Sequence, residues 1–310
     1  MTNLTLRQLR YFEALAHHGH FGRAAEACAI SQPALSMQIK ELEGSLGIML
    51  FERRARQVWL TNFGEEFALR VSDILRSIDE LDDLTRASRD TLKGRLRIGV
   101  IPTIAPYLLP TILENLNRMN AGLDIHVRET LTPKLIQELA EGRLDTAIVA
   151  LPVSETSFSE VALFAENFVL IRPSADEGKP VPDSESLRDM RLLLLEEGHC
   201  FRDQALSFCN TQSAPQGLDA SSLSTLVQMV GAGIGVTLLP EMAIAVETGS
   251  ARVSVSRFAS PQPSRTIGMI WRKTSPLAQQ FLQISEVVRQ SAATLRERND
   301  VRSPQHSTRA

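Results

Sequence analysis

From residue 93 onward the chain alternates short apolar runs with longer amphipathic stretches, and no other feature of the sequence restricts its fold so strongly. The runs read GRLRIGVIP, LDIHVRET, LDTAIVAL, ENFVLIRP, RLLLLEE, GIGVTLLP and RTIGMIWR. Each has the length of a strand, and helix-length segments separate them, which predicts a largely parallel α/β sheet. Two such units fit between residues 93 and 300, and no internal repeat or low-complexity block interrupts them. The closing RERNDVRSPQHSTRA is polar and turn-rich, so a frayed tail is expected there.

A chain of 310 residues, 43 % hydrophobic and 22 % charged, can bury real cores without disulfide staples. No apolar run approaches the roughly 20 residues of a membrane span, and the opening MTNLTLRQLRYFEALAHHGH has no apolar signal core. A cytoplasmic protein that does not cross a membrane is expected. In such reducing surroundings its three cysteines make any disulfide a conditional event. The net charge of −3 selects no class of partner.

Charge is more informative locally. Residues 1–60 carry seven Lys/Arg against five acids, and three of those arginines (53, 54 and 56) crowd into FERRARQ. Upstream, Leu6, Leu9, Phe12 and Leu15 space as one helical face, and FGRAAEACA reads as a second short helix. A third, SQPALSMQIKELEGSLG, has Ser31 as N-cap, Pro33 in its first turn, and Leu35, Ile39, Leu42 and Leu46 facing inward. Gln32, Pro33, Ser36, Met37 and Lys40 then face out. Two small helices, a tight turn and a basic hairpin suit a winged helix-turn-helix, although an ordinary helical hairpin has the same periodicity.

The stretch FGRAAEACAISQPALSMQIKELEGSLGIMLFER resembles the DNA-binding segment of LysR-type transcriptional regulators. That resemblance implies an N-terminal winged helix-turn-helix over residues 1–62 and a long linker helix over 63–92. A two-lobed, periplasmic-binding-protein-like α/β effector domain would span 93–300, with residues 301–310 as a tail. Lobe I would comprise about 93–164 and 267–297, and lobe II about 165–266. The resemblance places Gln32, Pro33, Ser36 and Lys40 on or before the recognition helix and Arg53 in a wing that touches backbone phosphate, with double-stranded promoter DNA as partner. Met37 departs from the basic residue many relatives carry. Cys28, between alanines, reads as a small packed residue.

In GEEFALRVSDILRSIDELDDLTRASRD, Phe67, Val71, Ile74, Ile78 and Leu81 follow a four-three-four-three repeat. This reads as a coiled-coil seam and predicts a homodimer through this helix, the alternative being a helix packed on its own chain.

Ligands of α/β sheets collect beyond the carboxyl ends of the strands, where Thr103 and Thr132 fall. Thr132, just before Pro133, also looks like a helix N-cap. The segment EEGHCFRDQALSFCN holds two of the three cysteines, the first beside His199 and near Arg202. If CFRDQALSFC is helical, Cys200 occupies its first turn, where a helix N-terminus and cationic neighbours promote thiolate. Nine helical steps part the two α-carbons by about 13 Å, whereas a disulfide needs about 4.4–6.8 Å. A Cys200–Cys209 bond would therefore have to unwind the helix. Two buried packing cysteines are the plain alternative.

GHCFRDQALSFC is similar to the redox segment of the peroxide-sensing subfamily of LysR-type regulators, and IPTIAPYLLP, GAGIGVTLLP and SRTIGMIWR extend the likeness. It implies that Cys200 is the peroxidatic thiol, that Cys209 resolves it, and that His199, Thr103, Thr132, Asp203, Gln204 and Arg265 position hydrogen peroxide or steady the sulfur. It further implies lobe crossovers near 163–167 and 264–268, no metal or organic cofactor, a homotetramer contacting RNA polymerase, and a glutaredoxin or thioredoxin-type reductant. A LysR-type regulator of a small organic effector, with incidental cysteines, is the nearer alternative, and a thiol peroxidase enzyme the more distant one.

Overall fold

Thr5 starts the first helix with a reciprocal cap. Its hydroxyl accepts from Gln8 N, and Gln8 Oε1 accepts from Thr5 N, each at 3.2 Å. The structure is a computed structural model that describes residues 4–54, 57–87, 94–120, 122–188, 190–209 and 219–302. It divides into two compact units, Met1–Thr85 and Arg86–Ala310.

In the first unit, α1 (Leu6–His18) buries Leu9, Phe12 and Leu15 on one stripe and stops at Gly19, whose φ of 58° is left-handed. Next, α2 (Phe21–Ala27) is capped by His20 Nδ1, which accepts from Gly22 N at 3.0 Å. Ser31 caps α3 (Gln32–Leu46), accepting from Ala34 N at 3.3 Å, and Pro33 lies in the first turn. Leu35, Ile39 and Leu42 meet the α1 stripe, and the Phe12 ring lies 5.2 Å from Phe51 and 5.0 Å from Phe67. A hairpin of β1 (Phe51–Arg54) and antiparallel β2 (Gln57–Leu60) follows. Buried Glu43 ties it to α3, one carboxylate oxygen accepting from Leu50 N at 2.8 Å and Phe51 N at 3.1 Å.

The following helix, α4 (Asn62–Ala87), corrects the seam read from the sequence. Val71 is buried in the core of its own unit with Phe67 packed against it, and Leu75, outside the repeat, is buried beside them. The first half of the stripe is covered within its own unit, Phe67 meeting Phe12 of α1, since the helix leaves directly from the wing. Apolar exposure is left to Ile74, Leu81 and Leu84 farther along and to Phe63 and Leu69.

The second unit runs β3 (Gly94–Val100), α5 (Ala105–Met119), β4 (Leu123–Glu129), α6 (Thr132–Ala140), β5 (Thr146–Leu151) and β6 (Phe158–Pro173). Then come α7 (Ser184–Arg188), β7 (Leu194–Leu195), α8 (Cys200–Phe208), β8 (Asp219–Ala220), α9 (Leu223–Gly231) and β9 (Thr237–Pro240). It ends with α10 (Ile244–Glu247), β10 (Val253–Arg257), β11 (Ser264–Arg272) and α11 (Ala278–Arg302). Seven strands share one sheet in the order β10-β6-β11-β5-β3-β4, with β9 also on β6.

The sheet is mixed, not largely parallel as the alternation suggested. Only β3 pairs parallel, with β4 and β5, while β6 and β11 run antiparallel to every partner. The reason is β6, a 16-residue strand. Its first part pairs with β11 as far as Asn167, and from Phe168 onward it pairs with β9 and β10, so it serves both halves of the sheet. A second, two-stranded parallel sheet joins β7 to β8.

The expected frayed tail is helical as far as Arg302, and residues 303–310 lie outside the described part. Ala292 and Leu295 pack on the core, and the Arg296 guanidinium donates to Ala165 O and lies 5.2 Å from the Phe164 ring centroid. Among the described residues, no helix is long and apolar enough to cross a membrane.

Candidate thiol site

Three strand ends deliver the site. β3 runs out through Ile101, Pro102 and Thr103 into α5, β4 through Thr130 and Leu131 into α6, and β7 through Gly198 and His199 into α8. Together they close on one tight recess lined by Ile101, Pro102, Thr103, Leu131, Thr132, Gly198, His199 and Cys200, with no free space in it for a water-sized molecule. Gly198 permits the closeness. Its φ is 93°, and a Cβ there would sit 2.9 Å from Leu131 Cδ1.

The polar atoms of this pocket are unequally occupied. Thr132 does not cap its helix, as its sequence context suggested. Leu131 holds that position, Thr132 is the first helical residue, and its buried Oγ1 has no hydrogen-bond partner. Thr103 Oγ1 accepts from Arg265 Nη1 at 2.8 Å. Arg265 in turn pairs with buried Glu166, which also accepts from Met242 N at 3.0 Å.

The cationic surroundings expected for Cys200 are weaker than the sequence suggests. Burial lowers the pKa of His199, the charge of Glu196 opposing it, so the imidazole is neutral at pH 7. Arg202 is turned away, donating to Leu195 O at 2.6 Å and Asp219 Oδ1 at 2.9 Å. What the fold does supply is the first turn of α8, whose free backbone N–H groups favour an anion. At the other end Cys209 is the buried C-cap, and desolvation pushes its thiol up to about 11. Between them Phe201 meets Phe168 edge-on at 5.0 Å and lies 5.5 Å from the Arg265 guanidinium.

Thr103, Thr132, His199 and Cys200 are thus brought together. Arg265 stands behind Thr103, and Asp203 and Gln204 do not line the pocket, Asp203 being exposed and Gln204 keeping a buried Oε1 without a partner. A neighbouring cleft of about 340 Å³ shares Thr103, Leu131 and His199 and adds Tyr107, Glu129, Glu196, Glu247 and the α9 cap residue Ser222. Tyr107 Oη donates to Glu247 Oε1 at 2.7 Å. Among the described residues, no group of three His, Cys, Asp or Glu is placed to hold a metal.

On the first unit Gln32, Pro33 and Lys40 are exposed and Ser36 is half-buried along α3. Arg53 lies in β1 opposite Val58, while its side chain and the whole of Arg56 fall outside the described residues.

Residues 6–65 match the bacterial regulatory helix-turn-helix protein of the lysR family, and residues 89–293 match the LysR substrate binding domain. The chain belongs to the LysR family. Within it, this LysR-family chain is 42 % identical to a probable hydrogen peroxide-inducible genes activator of Streptomyces viridosporus, over 94 % of the chain and 95 % of that protein. It is 40 % identical to the DNA-binding transcriptional dual regulator OxyR of Escherichia coli K12, over 92 % and 95 %. Among solved structures, full-length OxyR from Pseudomonas aeruginosa, carrying a cysteine-to-aspartate substitution, has a TM-score of 0.74 at 36 % identity, covering 93 % of this chain and 98 % of that one. A hydrogen-peroxide-bound cysteine-to-serine mutant of Corynebacterium glutamicum OxyR has a TM-score of 0.67 at 32 % identity, covering 96 % and 95 %.

Three residues of this LysR-family chain escaped the sequence reading: Glu43, Glu166 and Tyr107. Glu166 heads the apolar run ENFVLIRP, with nothing in the run to mark its partner, yet it is buried. The one available signal was its complement, Arg265, at the head of another apolar run.

Proposed function

We propose that this chain is a hydrogen-peroxide-sensing, DNA-binding transcriptional regulator of antioxidant genes, switched by oxidation of Cys200. The observation that carries the reading is the recess itself, which Cys200 at the start of α8 lines together with Thr103, Thr132 and His199, whose pKa burial lowers. The Cys200 thiolate attacks one oxygen of peroxide, the O–O bond breaks, and the other oxygen leaves as hydroxide and takes up a proton as water. Cys200 is then a sulfenic acid. Cys209 condenses with it, forming the S–S bond and releasing a second water, and α8 must unwind for the two sulfurs to meet. Thr132, with an unpartnered hydroxyl, serves peroxide directly, while Asp203 and Gln204 act from the helix that unwinds.

The winged unit over residues 1–62 reads double-stranded promoter DNA through Gln32, Pro33, Ser36 and Lys40, with Arg53 on phosphate. The linker over 63–92 dimerises the chain through its exposed apolar residues, and the two-lobed domain over 93–300 senses peroxide and completes a homotetramer. RNA polymerase is the downstream partner and a glutaredoxin or thioredoxin-type protein the reductant. The setting is cytoplasmic, and the reaction is stoichiometric, not that of a turnover enzyme. The 340 Å³ cleft supports a second reading, a regulator of a small organic effector.

One equivalent of hydrogen peroxide added to the reduced protein distinguishes them by peptide mass spectrometry. The expected result is a rapid Cys200–Cys209 link, with sulfenic acid trapped at Cys200 in Cys209→Ser. Unreactive thiols would transfer the function to the cleft.

A further inference from the structure

We propose that Glu166 is a positioning residue for the peroxide reaction, holding Arg265 so that Thr103 presents its hydroxyl to the Cys200 pocket only as a donor. This rests on the reading of Cys200 as the reacting thiol. The chain of contacts is short. The Arg265 side chain is 0 % exposed and Glu166 3 %, and their closest approach is 2.7 Å, from Arg265 Nη2 to Glu166 Oε2. Arg265 Nε also donates to that oxygen at 2.8 Å, while the other carboxylate oxygen is held by Met242 N. The opposite edge of the guanidinium faces Thr103, Nη1 donating to Oγ1 at 2.8 Å and Nη2 to the backbone oxygen at 3.2 Å.

A guanidinium has five donors and no acceptor, and a threonine hydroxyl has one hydrogen to give. Oγ1 accepts from Arg265, so its hydrogen must go elsewhere, and among the described residues it has no acceptor. Thr103 lines the same tight recess as Cys200, so peroxide admitted there meets that hydrogen. Across it, Thr132 Oγ1 has no partner and is free to donate or to accept. The site therefore offers peroxide one donor of fixed direction and one adaptable hydroxyl. As sulfur attacks, negative charge grows on the departing oxygen, and a donor already oriented toward it stabilises the transition state without reorganising. Glu166 cancels the guanidinium's charge locally, so the pair contributes direction to the pocket more than potential. A Gln in its place would put an amide donor against either Arg265 or Met242 N and loosen the guanidinium.

The test uses the full chain in a Cys209→Ser background and follows sulfenic acid at Cys200 after mixing with hydrogen peroxide, beside alkylation of Cys200 by iodoacetamide across pH. Glu166→Gln is expected to slow peroxide oxidation by roughly tenfold or more, since removing one oriented donor costs on the order of a hundredfold, and to leave the pH profile of alkylation in place. In a Thr103→Val background the same substitution should add nothing further, because both act through one hydroxyl. Thr103→Ser should keep the rate. A profile moved along the pH axis, or multiplicative effects of the two substitutions, would overturn the positioning role. Should Glu166→Gln fail to fold, the contrast of Thr103→Val with Thr103→Ser decides, equal rates overturning the donor assignment. A Cys200 inert to peroxide in the Cys209→Ser parent would overturn the sensor reading itself and this inference with it.

Discussion

Cys200 begins α8 and Cys209 caps its end, so the two thiols stand at opposite poles of one nine-residue helix. The second is buried with its pKa raised to about 11, and in the folded, reduced chain it is a protonated thiol. Disulfide closure is therefore expected as a second step whose rate does not change with peroxide concentration. Rapid quenching with mass spectrometry reads both steps. In Cys200→Ser at pH 8, Cys209 should be alkylated at least tenfold more slowly than in the urea-unfolded chain. Equal rates would show a helix end already open.

Gly198 turns the chain into Cys200 with a left-handed backbone and leaves no room for a Cβ beside Leu131. Gly198→Ala is expected to lower stability by about 1–3 kcal/mol, because an alanine is strained at this φ, and to slow sulfenic acid formation, because the strain falls on the turn that leads into Cys200. Urea unfolding and peroxide kinetics on the same variant check both parts.

His199 gives the stability a pH dependence of known sign. Its folded pKa is lowered by burial, so the unfolded chain binds the proton more tightly. The contribution is complete above the unfolded value of about 6.5 and is lost as pH falls through the folded value. Urea midpoints should drop between pH 7.5 and 5.5 in the parent protein and drop less in His199→Gln. Parallel curves would refute the assignment.

Two substitutions on α4 should behave oppositely. Val71 is buried in the core of its own unit, whereas Leu81 is 60 % exposed. Val71→Asp is expected to unfold the DNA-binding unit, a buried unpaired charge costing several kcal/mol. Leu81→Asp should leave the circular dichroism unchanged and shift the chain toward monomer in sedimentation at micromolar concentration. A dimer that persists would remove this face from the interface.

The contrast on α4 shows where the sequence was readable and where it was not. Caps and stripes are local: Ser31, Pro33, Leu35 and Ile39 stand where spacing put them. What covers a stripe is not local, and Phe67 and Val71 have the same spacing whether their own chain or another packs on them. Strand texture marks β3, β4, β5, the second half of β6, β7, β9 and β11 but carries no direction, so the antiparallel course of β6 and β11 was hidden. Of the site, both threonines were legible as strand-end residues and the thiols as residues of one helix, while the cap role that Thr132 also suggested goes to Leu131, because Thr-Pro suits a cap and a first helical position alike. Glu166 was illegible, since its partner lies 99 residues away and only the sheet brings them together.

Phe201 follows Cys200 directly, and its ring is seated against Phe168 and below Arg265. A bond between the two sulfurs cannot keep α8 wound, and the unwinding is expected to pull on that seated ring. The helix then behaves less like a spring than like a detent, which holds through small disturbances and releases all at once. For a chain switched by that bond, how firmly one phenyl group sits in its notch is expected to set how readily the second sulfur is reached, and it can be retuned there without touching either thiol.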